Sequence, residues 1–487
     1  MILSSGHESF TKSEDVTFRK PVQIIILFIL ATIPIIFGSI HPIIYGSYVS
    51  LILLCPGLWL ILVLSRHRKV SITPWMYPPL IILGYMLFTA IPLPVGLLHY
   101  FSPHRAEAVR AVMELADQSK TAYSISYFPQ STISHFIFTT ALFIFYLILR
   151  YFLKEHAFFK KILAVIVIVG FIEAAYGLFQ AVYPSIGVLW LTSYTERFAS
   201  GTFISRNQYA AFLNLCWPIV LATGFWGYHR SKIRAHKKDD SIPAVAKYFP
   251  AFLFSVAIMM LAIIFSGSRG GILSMCLSLV LMSFFLGFSW KSRLAIICSI
   301  LAFVMIYGGM IGFDAVIHRF MQIPSHGTSR IKVWMASMTM LEAHPWAGIG
   351  VGAYATLSRL YLHDFPNEAM YYHPHNEYVE LVVEFGVPVM ILLVSWVGAG
   401  MFLSAKGLLA RQSKKFSSAV TEKGLVQMVG AACFCAFCGL FLHMIVDFPL
   451  RFPAYLVYAT TLLALMNHAS DEIEDRQRIF KIRSSNP

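Results

Sequence analysis

The chain has 487 residues, of which 57% are hydrophobic, 15% are aromatic and only 13% are charged, with a formal net charge of +14. Soluble domains carry about 25% charged and about 45–50% apolar residues, so this composition excludes a disordered chain, a nucleic-acid-binding domain and an ordinary cytosolic enzyme. It indicates an all-α polytopic integral membrane protein, in which the side that carries the positive charge is the first question.

Twelve stretches of the chain are apolar on all sides and approach the length of about 20 residues that a membrane-spanning helix needs. They lie near residues 22–40, 43–64, 75–98, 132–152, 161–184, 206–228, 249–266, 271–290, 294–313, 379–404, 425–446 and 452–467. The first stretch has no A-x-A-like cleavage site, which indicates a retained anchor and not a signal peptide.

The twelve stretches predict three parts of the chain. These are a cytoplasmic N-terminal segment at 1–20, a single transmembrane domain at 21–467 and a solvated cytoplasmic tail at 468–487. Two connections on the outer face are long, near 99–131 and near 314–378. Residues 329–341 have apolar side chains at helical spacing and are predicted to form an amphipathic helix on the outer interface.

Twelve crossings place both termini on one side of the membrane. On that side lie 27 of the 38 Lys and Arg residues, which identifies it as the cytoplasmic side. Most of the basic excess is therefore an orientation signal. The other 11 basic residues lie on the outer face and need a separate explanation.

The seven cysteines all fall inside apolar stretches, so no disulfide framework is predicted. Cys433, Cys435 and Cys438 form a C-x-C-x-x-C pattern, which could bind a metal. Small apolar residues on a packed helix explain the same pattern and are the favoured interpretation. No metal site is predicted elsewhere either.

Several arginines stand at the outer ends of the predicted spans. Arg206 begins the sixth span, where it is either an interfacial residue that reaches towards water or a clamp for a phosphate on a membrane-bound substrate. Arg269 lies in the glycine-rich turn at 266–271, which suits a diphosphate but is also explained as an ordinary short turn. Arg330 begins the amphipathic helix and could reach the same place.

The segment at 371–378 places two histidines, His373 and His375, beside an amide and a carboxylate. A neutral histidine accepts a proton near physiological pH, so this segment is a candidate for activating a hydroxyl. A structural interpretation stands beside it, in which Asn376 caps the following helix and Glu377 favours the helix dipole.

A weaker polar patch lies at 447–451, between the last two spans. Asp447 and Arg451 are predicted to pair with each other across this short gap. His443, inside the preceding apolar stretch, is interpreted as a satisfied interior histidine. Gly348, Gly350 and Gly352 follow no predicted strand, so they do not form a dinucleotide fingerprint.

Taken in order, these patches resemble the O-antigen ligase/polymerase superfamily of bacterial envelope glycosyltransferases. The resemblance covers about residues 200–455 and rests on the ordered set of segments 201–208, 266–271, 330–334, 344–352, 373–378, 384–386 and 447–451. No single segment is specific, and the first five spans match in character only.

The resemblance implies a metal-independent lipid-sugar glycosyltransferase of the GT-C-like type, without a cofactor, in the inner membrane of a bacterium. Its donor would be an undecaprenyl-diphosphate-linked glycan on the periplasmic side, and its acceptor a lipid A-core sugar or another glycan. His375 takes the part of the histidine that activates the acceptor hydroxyl, with His373 as a second candidate. Arg206 and Arg269 would hold the diphosphate; the further substrate-binding candidates are Arg330, Asn376 and Arg451.

The branch of the superfamily stays open at this point. A ligase, a polymerase and a protein O-oligosaccharyltransferase all fit the same segments. A transporter or lipid-glycan flippase is the alternative of another class, and Glu173 is its clearest candidate residue inside a span. A non-catalytic scaffold in an envelope-polysaccharide complex is a third possibility. Membrane lipids are expected partners, and nucleic acid is not.

Overall fold

The computed structural model describes residues 14–39, 41–65, 74–116, 122–189, 198–235, 248–285, 290–311, 323–362, 372–412 and 422–485. Within these ranges the chain is mostly helical, with 17 α-helices. In chain order they are α1 (Glu14–Thr32), α2 (Pro42–Ser65), α3 (Tyr77–Ala90), α4 (Val95–Phe101), α5 (Pro103–Ala116), α6 (Pro129–Phe152), α7 (His156–Val182), α8 (Arg206–Ala235), α9 (Phe249–Phe265), α10 (Arg269–Phe285), α11 (Trp290–Ile311), α12 (Ile323–Ala343), α13 (Tyr354–Leu357), α14 (Glu377–Phe385), α15 (Val387–Gln412), α16 (Glu422–His443) and α17 (Pro453–Ser485).

Each of the twelve predicted spans overlaps a helix of this set. Six helices of the described residues are long and apolar enough to cross a membrane, within α2, α6, α7, α8, α15 and α16, and α9 and α10 are shorter apolar helices. The chain is therefore a polytopic helical membrane protein. Parts of the predicted segments 1–20, 314–378 and 468–487 lie outside the described residues.

Several predicted boundaries differ from the structure. The stretch 75–98 is divided into α3, strand β1 (Leu93–Pro94) and α4, because Pro92 and Pro94 interrupt the helical backbone. The stretch 379–404 is divided into α14 and α15 at Gly386, whose φ is 78°. At the ends, α1 already begins within the predicted segment 1–20, and α17 continues as a helix into the predicted tail.

The core of the bundle is built around α8. The apolar window of this helix is completely buried, and its Tyr209, Phe212 and Trp217 are among the largest fully buried side chains. Helices α7, α9, α10 and α16 pack against it. By contrast, only 11% of the apolar window of α15 is buried, so most of its apolar surface is left for contact with lipid.

The two long connections pack against each other. The first contains β2 (Ala122–Tyr123), which pairs antiparallel with β1 just before this connection, beside α4. The second contains α12, which includes the amphipathic helix predicted at 329–341. His344 joins the two, since its Nδ1 lies 3.4 Å from Ser102 Oγ and its Nε2 lies 3.2 Å from the hydroxyl of Tyr127. Burial lowers the pKa of His344 to about 4, and the nearby His104 and Arg105 contribute smaller shifts in the same direction. This histidine is therefore neutral at pH 7.

The glycine-rich segment after His344 has a structural use. Gly348, Gly350 and Gly352 all have positive φ, between 62° and 92°. The backbone there pairs with the end of α14, since the amide of Ile349 donates to Val383 O and that of Gly350 donates to Glu384 O, both at 3.1 Å. These bonds anchor α14 at its C-terminal end.

Two ion pairs mark the end of the bundle where α1 begins. Arg19 of α1 pairs with Glu155 at 3.0 Å, and Arg150 of α6 pairs with Asp471 of α17. The polar patches at 373–376 and 447–451 lie at the other end, where α17 begins. At 1.5 Å per residue, the path along α17 from Pro453 to Asp471 is roughly 27 Å, which is close to the thickness of a bilayer core.

Candidate functional site

Two histidine–carboxylate pairs flank one aromatic ring. His373 stacks face to face on Phe448, with ring centroids 4.2 Å apart, while His375 meets the edge of the same ring at 5.0 Å. Nδ1 of His373 lies 2.9 Å from Oε1 of Glu380, and Nδ1 of His375 lies 3.4 Å from Oδ1 of Asp447. The side chain of His375 is 37% exposed, whereas that of Asp447 is 2% exposed. An accessible imidazole thus stands in front of a buried carboxylate.

His375 has an unusual backbone conformation, with a φ of 54°. This left-handed region is costly for a residue with a Cβ, and such residues occur where the surrounding structure holds them and function uses the strain. The neighbours on both sides are fixed. Nε1–H of Trp334 donates to Pro374 O at 2.9 Å, and the side chain of Asn376 accepts from the amides of Tyr378 and Val379. Asn376 is thus the N-cap of α14, as the sequence indicated.

Asp447 contacts two histidines, whereas Arg451 pairs with glutamates. The predicted pairing of Asp447 with Arg451 is therefore wrong. Its Oδ1 faces His375, and its Oδ2 lies 3.6 Å from Nε2 of the buried His443. Burial alone would raise the pKa of this carboxyl. The hydrogen bond from His375 and the nearby His443 outweigh burial and hold the pKa of Asp447 well below its usual range. Asp447 is therefore ionised at neutral pH.

Arg451 is paired with three glutamates of α14. Its Nε lies 3.2 Å from Glu377 Oε1 and 3.3 Å from Glu380 Oε1, and its terminal nitrogen lies 2.8 Å from Glu384 Oε2. The side chain is only 9% exposed. Three carboxylates around one guanidinium leave an excess of negative charge. Burial above all raises the pKa of Glu377 to about 7. The charge of Arg451 opposes this shift, and that of Glu380 reinforces it.

The three arginines predicted to bind phosphate lie at helix starts or on α12, and all are half-buried. Arg206 is the first residue of α8, and its guanidinium lies 4.1 Å from the ring centroid of Phe198. Arg269 is the first residue of α10 and follows a turn in which Gly267 has a φ of 63°. A terminal nitrogen of Arg330 donates to Val446 O at 2.9 Å.

Neighbouring contacts bring these arginines to the loop before α14 that contains His373 and His375, here called the histidine loop. Phe198, under Arg206, also lies against Gly267, where a Cβ would come within 2.6 Å of the ring. On the other side of Arg269, a Cβ at Gly270 would lie 2.7 Å from Cγ2 of Val446. Arg330 bonds to the backbone of Val446, and the next residue of the chain is the partner of His375. The predicted arginines and histidines therefore occupy one end of the bundle.

The sequence interpretation missed four contributors to this site. These are Glu380, Phe448, Trp334 and the pairing of Asp447 with His375. One signal was available: Glu377, Glu380 and Glu384 recur every three to four residues on one face of a partly apolar helix. Such a face needs a buried cation, and the nearest arginine in the following patch is Arg451.

The cysteine pattern lies inside the bundle. Cys433 and Cys435 are buried in α16, and Cys438 is half-buried. In the ranges that the structure describes, no group of three or more His, Cys, Asp or Glu side chains is arranged to hold a metal ion.

The fold and this cluster define a class, namely a polytopic helical membrane protein that carries an accessible histidine–carboxylate site at one end of its bundle. Residues 254–394, under a third of the chain, match the O-antigen ligase family. This match supports the O-antigen ligase/polymerase superfamily that the resemblance of the motifs predicted. No curated protein matches the chain.

The matched region contains Arg269, Arg330 and both histidines of the loop, while Arg206, Asp447 and Arg451 lie outside it. The match supports a ligase- or polymerase-like function in polysaccharide biosynthesis.

Proposed function

We propose that the protein transfers a glycan from undecaprenyl diphosphate to a sugar hydroxyl of an acceptor, at the periplasmic face of a bacterial inner membrane. The observation that carries this proposal is the accessible His375, backed by the ionised Asp447, at the end of the bundle where three arginines lie. The match to the O-antigen ligase family covers this histidine and two of the arginines.

In the proposed reaction, His375 is the general base. Asp447 accepts a hydrogen bond from Nδ1–H, which leaves Nε2 unprotonated and available to the acceptor hydroxyl. Nε2 takes the hydroxyl proton while the acceptor oxygen bonds to the anomeric carbon of the donor. The bond from that carbon to the diphosphate breaks, and undecaprenyl diphosphate leaves with the electron pair.

The arginines stabilise the leaving group in this proposal. Arg206, Arg269 and Arg330 offset the negative charge that develops on the diphosphate, since a guanidinium matches phosphate oxygens in geometry and charge. Asn376 and Arg451 were candidates for substrate contact. Because Asn376 caps α14 and Arg451 is buried among glutamates, both act here by holding the histidine loop in place.

His375 is preferred over His373 as the base for a geometric reason. The ring of His373 is stacked on Phe448, and its Nδ1 is bonded to Glu380 at 2.9 Å, a residue of the same buried network as Arg451. His375 is the more exposed of the two and has the unusual backbone.

The test of the base is His375→Ala, because this change removes the proton acceptor and little buried contact. We expect loss of transfer from an undecaprenyl-diphosphate-linked glycan, with unchanged donor binding and folding. His104→Ala is the matched control, since His104 is an exposed histidine of α5. Wild-type transfer by the His375 variant would remove the base assignment.

The test of the clamp is Arg269→Ala. We expect weaker binding of the lipid donor, by about tenfold or more, since charge-assisted hydrogen bonds to phosphate are among the stronger ones. Arg110→Ala, which removes an exposed arginine of α5, is the control. Unchanged donor affinity would eliminate the role of Arg269.

The identity of the acceptor distinguishes the branches of the superfamily. Deleting the protein from its bacterium and separating the envelope glycans on a gel distinguishes the outcomes. Loss of all long chains from the lipid core identifies a ligase, and a single repeat left on the core identifies a polymerase. Unchanged lipopolysaccharide with lost exopolysaccharide or glycoprotein identifies another branch. We propose the ligase, in line with the family that matches.

Transport is the weaker alternative. Glu173, its candidate residue inside a span, is fully buried, and its carboxylate accepts bonds from the hydroxyl and the amide of Thr202 at 2.7 and 3.0 Å. These bonds give Glu173 a structural role at the loop before α8. In reconstituted vesicles, covalent product supports the enzyme, whereas movement of the lipid-linked glycan without product supports transport.

A further inference from the structure

His443 is a buried histidine that the proposed reaction does not use. It is the last residue of α16, and its side chain is 2% exposed. Its Nε2 lies 3.6 Å from Oδ2 of Asp447, while the other oxygen of that carboxylate lies 3.4 Å from Nδ1 of His375. The two oxygens of one carboxylate therefore face two histidines, one buried and one accessible.

The same edge of His443 meets the helix that begins with Arg269. A Cβ at Gly270 would lie 3.5 Å from both Cδ2 and Nε2 of His443. The first turn of α10 is thus seated against the side of the ring that faces Asp447. Only a residue without a side chain at position 270 permits this approach, because a Cβ there would also press on Val446 at 2.7 Å.

We infer that His443 is a positioning residue of the transfer reaction, which orients Asp447 behind His375. The inference rests on the proposed function. A carboxylate that is held at one oxygen only is free to rotate about its Cβ–Cγ bond. Nε2 of His443, 3.6 Å from Oδ2, makes a buried polar contact that is longer than a hydrogen bond, and this contact restricts the rotation and keeps Oδ1 on His375.

A purely packing role for His443 makes a different prediction. If the ring only filled space, a phenylalanine of similar shape would replace it without loss. If it orients Asp447, the donor at the Nε2 position is what matters. Glutamine places an amide N–H close to that position, whereas the amide of asparagine ends near the position of Nδ1 and does not reach Oδ2.

The experiment compares His443→Gln, His443→Phe and His443→Asn in the full-length protein, purified and reconstituted into vesicles. The donor is an undecaprenyl-diphosphate-linked O-antigen glycan, and the acceptor is lipid A-core. For the Phe and Asn variants we expect kcat to fall by about 10- to 100-fold, because the polar contact to a charged group is lost. KM for the donor stays unchanged, and the Gln variant recovers most of the activity. The Asn variant keeps the test valid if the larger Phe ring prevents folding.

Coupling to Asp447 is measured in the same assay. In an Asp447→Asn background, His443→Phe should cause no further loss, because both changes break the same contact. Wild-type kcat in both the Phe and Asn variants overturns the inference. So does equal loss of kcat in the Gln and Phe variants, or a loss that adds to that of Asp447→Asn. The wild type and His375→Ala serve as references. If the wild type forms no covalent product, the proposed function itself fails, and if His375→Ala keeps wild-type transfer, the base assignment fails. With an active wild type and an inactive His375→Ala, the His443 results test this inference alone.

Discussion

Glu377 shows how the environment of one residue controls its charge. It is completely buried, within reach of Arg451 and beside two other glutamates of α14. Burial raises its pKa from an ordinary value of 4.5 to about 7, although Arg451 opposes the shift. The folded state therefore keeps a proton on Glu377 that the unfolded state releases between about pH 4.5 and 7. Stability must fall as the pH rises through that range.

Glu377→Gln tests this argument. Glutamine resembles the protonated form and cannot ionise, so the variant should lose less stability than the wild type between pH 5 and pH 8. The measurement is the melting temperature of the purified protein across that range. Glu107→Gln is the control, since Glu107 is an exposed residue of α5. Parallel pH profiles of the Glu377 variant and the wild type would contradict the assignment.

At the scale of single residues, the sequence pointed to candidate side chains but not to their contacts. His375, Arg206 and Arg269 were chosen because polar residues at the outer end of an apolar span need an explanation. The partner of His375 is 72 residues away in the chain, at Asp447, and no local spacing indicates that pairing. Arg451, which is close to Asp447 in the chain, was the wrong partner for Asp447. It pairs instead with three glutamates of α14, a helix that the sequence did not reveal as a separate element.

At the scale of elements, apolar stretches gave the positions of the helices but not their interruptions. Pro92, Pro94 and Gly386 were visible, yet a hydropathy pattern continues across them. The interruption at Gly386 matters most, because it separates α14 from the lipid-facing α15. This short helix is held at its start by Asn376 and along its length by Arg451.

Gly348→Ala should disturb the C-terminal end of α14. Gly348 has a φ of 62°, and a Cβ there would collide with the backbone carbonyl of Glu384. The left-handed conformation alone costs roughly 1–2 kcal/mol for a residue with a Cβ, and the collision adds to it. We expect a lower melting temperature and reduced transfer, since α14 begins beside His375.

Gly398→Ala is the matched control for that substitution. Gly398 lies within α15, and a Cβ there meets no atom within 4 Å. Alanine should stabilise this helix by about 0.5–1 kcal/mol, because glycine loses more conformational freedom on folding. If both alanine variants melt at the wild-type temperature or above, Gly348 does not anchor α14.

At the scale of the whole molecule, the sequence predicted that the histidine and arginine patches share one end of the bundle. An excess of basic residues predicted one face of the bundle. Patches of histidine and arginine predicted the opposite face, before any contact was known. The structure adds two ion pairs at the end remote from His375: Arg19–Glu155 joins α1 to the residue before α7, and Arg150–Asp471 joins α6 to α17. What the sequence could not give is the order in which twelve apolar stretches pack, because hydropathy does not distinguish the fully buried α8 from the lipid-facing α15.

The two ends should therefore face different compartments, with the histidine loop in the periplasm. Trp346, which is 70% exposed, has its backbone against Gly386 at the C-terminal end of α14, and the exposed Lys154 lies next to the Arg19–Glu155 pair. In a variant with its seven native cysteines replaced, Trp346→Cys should react with a membrane-impermeant maleimide in intact spheroplasts. Lys154→Cys should react only after lysis, because roughly 27 Å of helix separates the two ends. Labelling of Lys154→Cys in intact spheroplasts, with Trp346→Cys protected, would reverse the orientation and place His375 out of reach of a periplasmic donor.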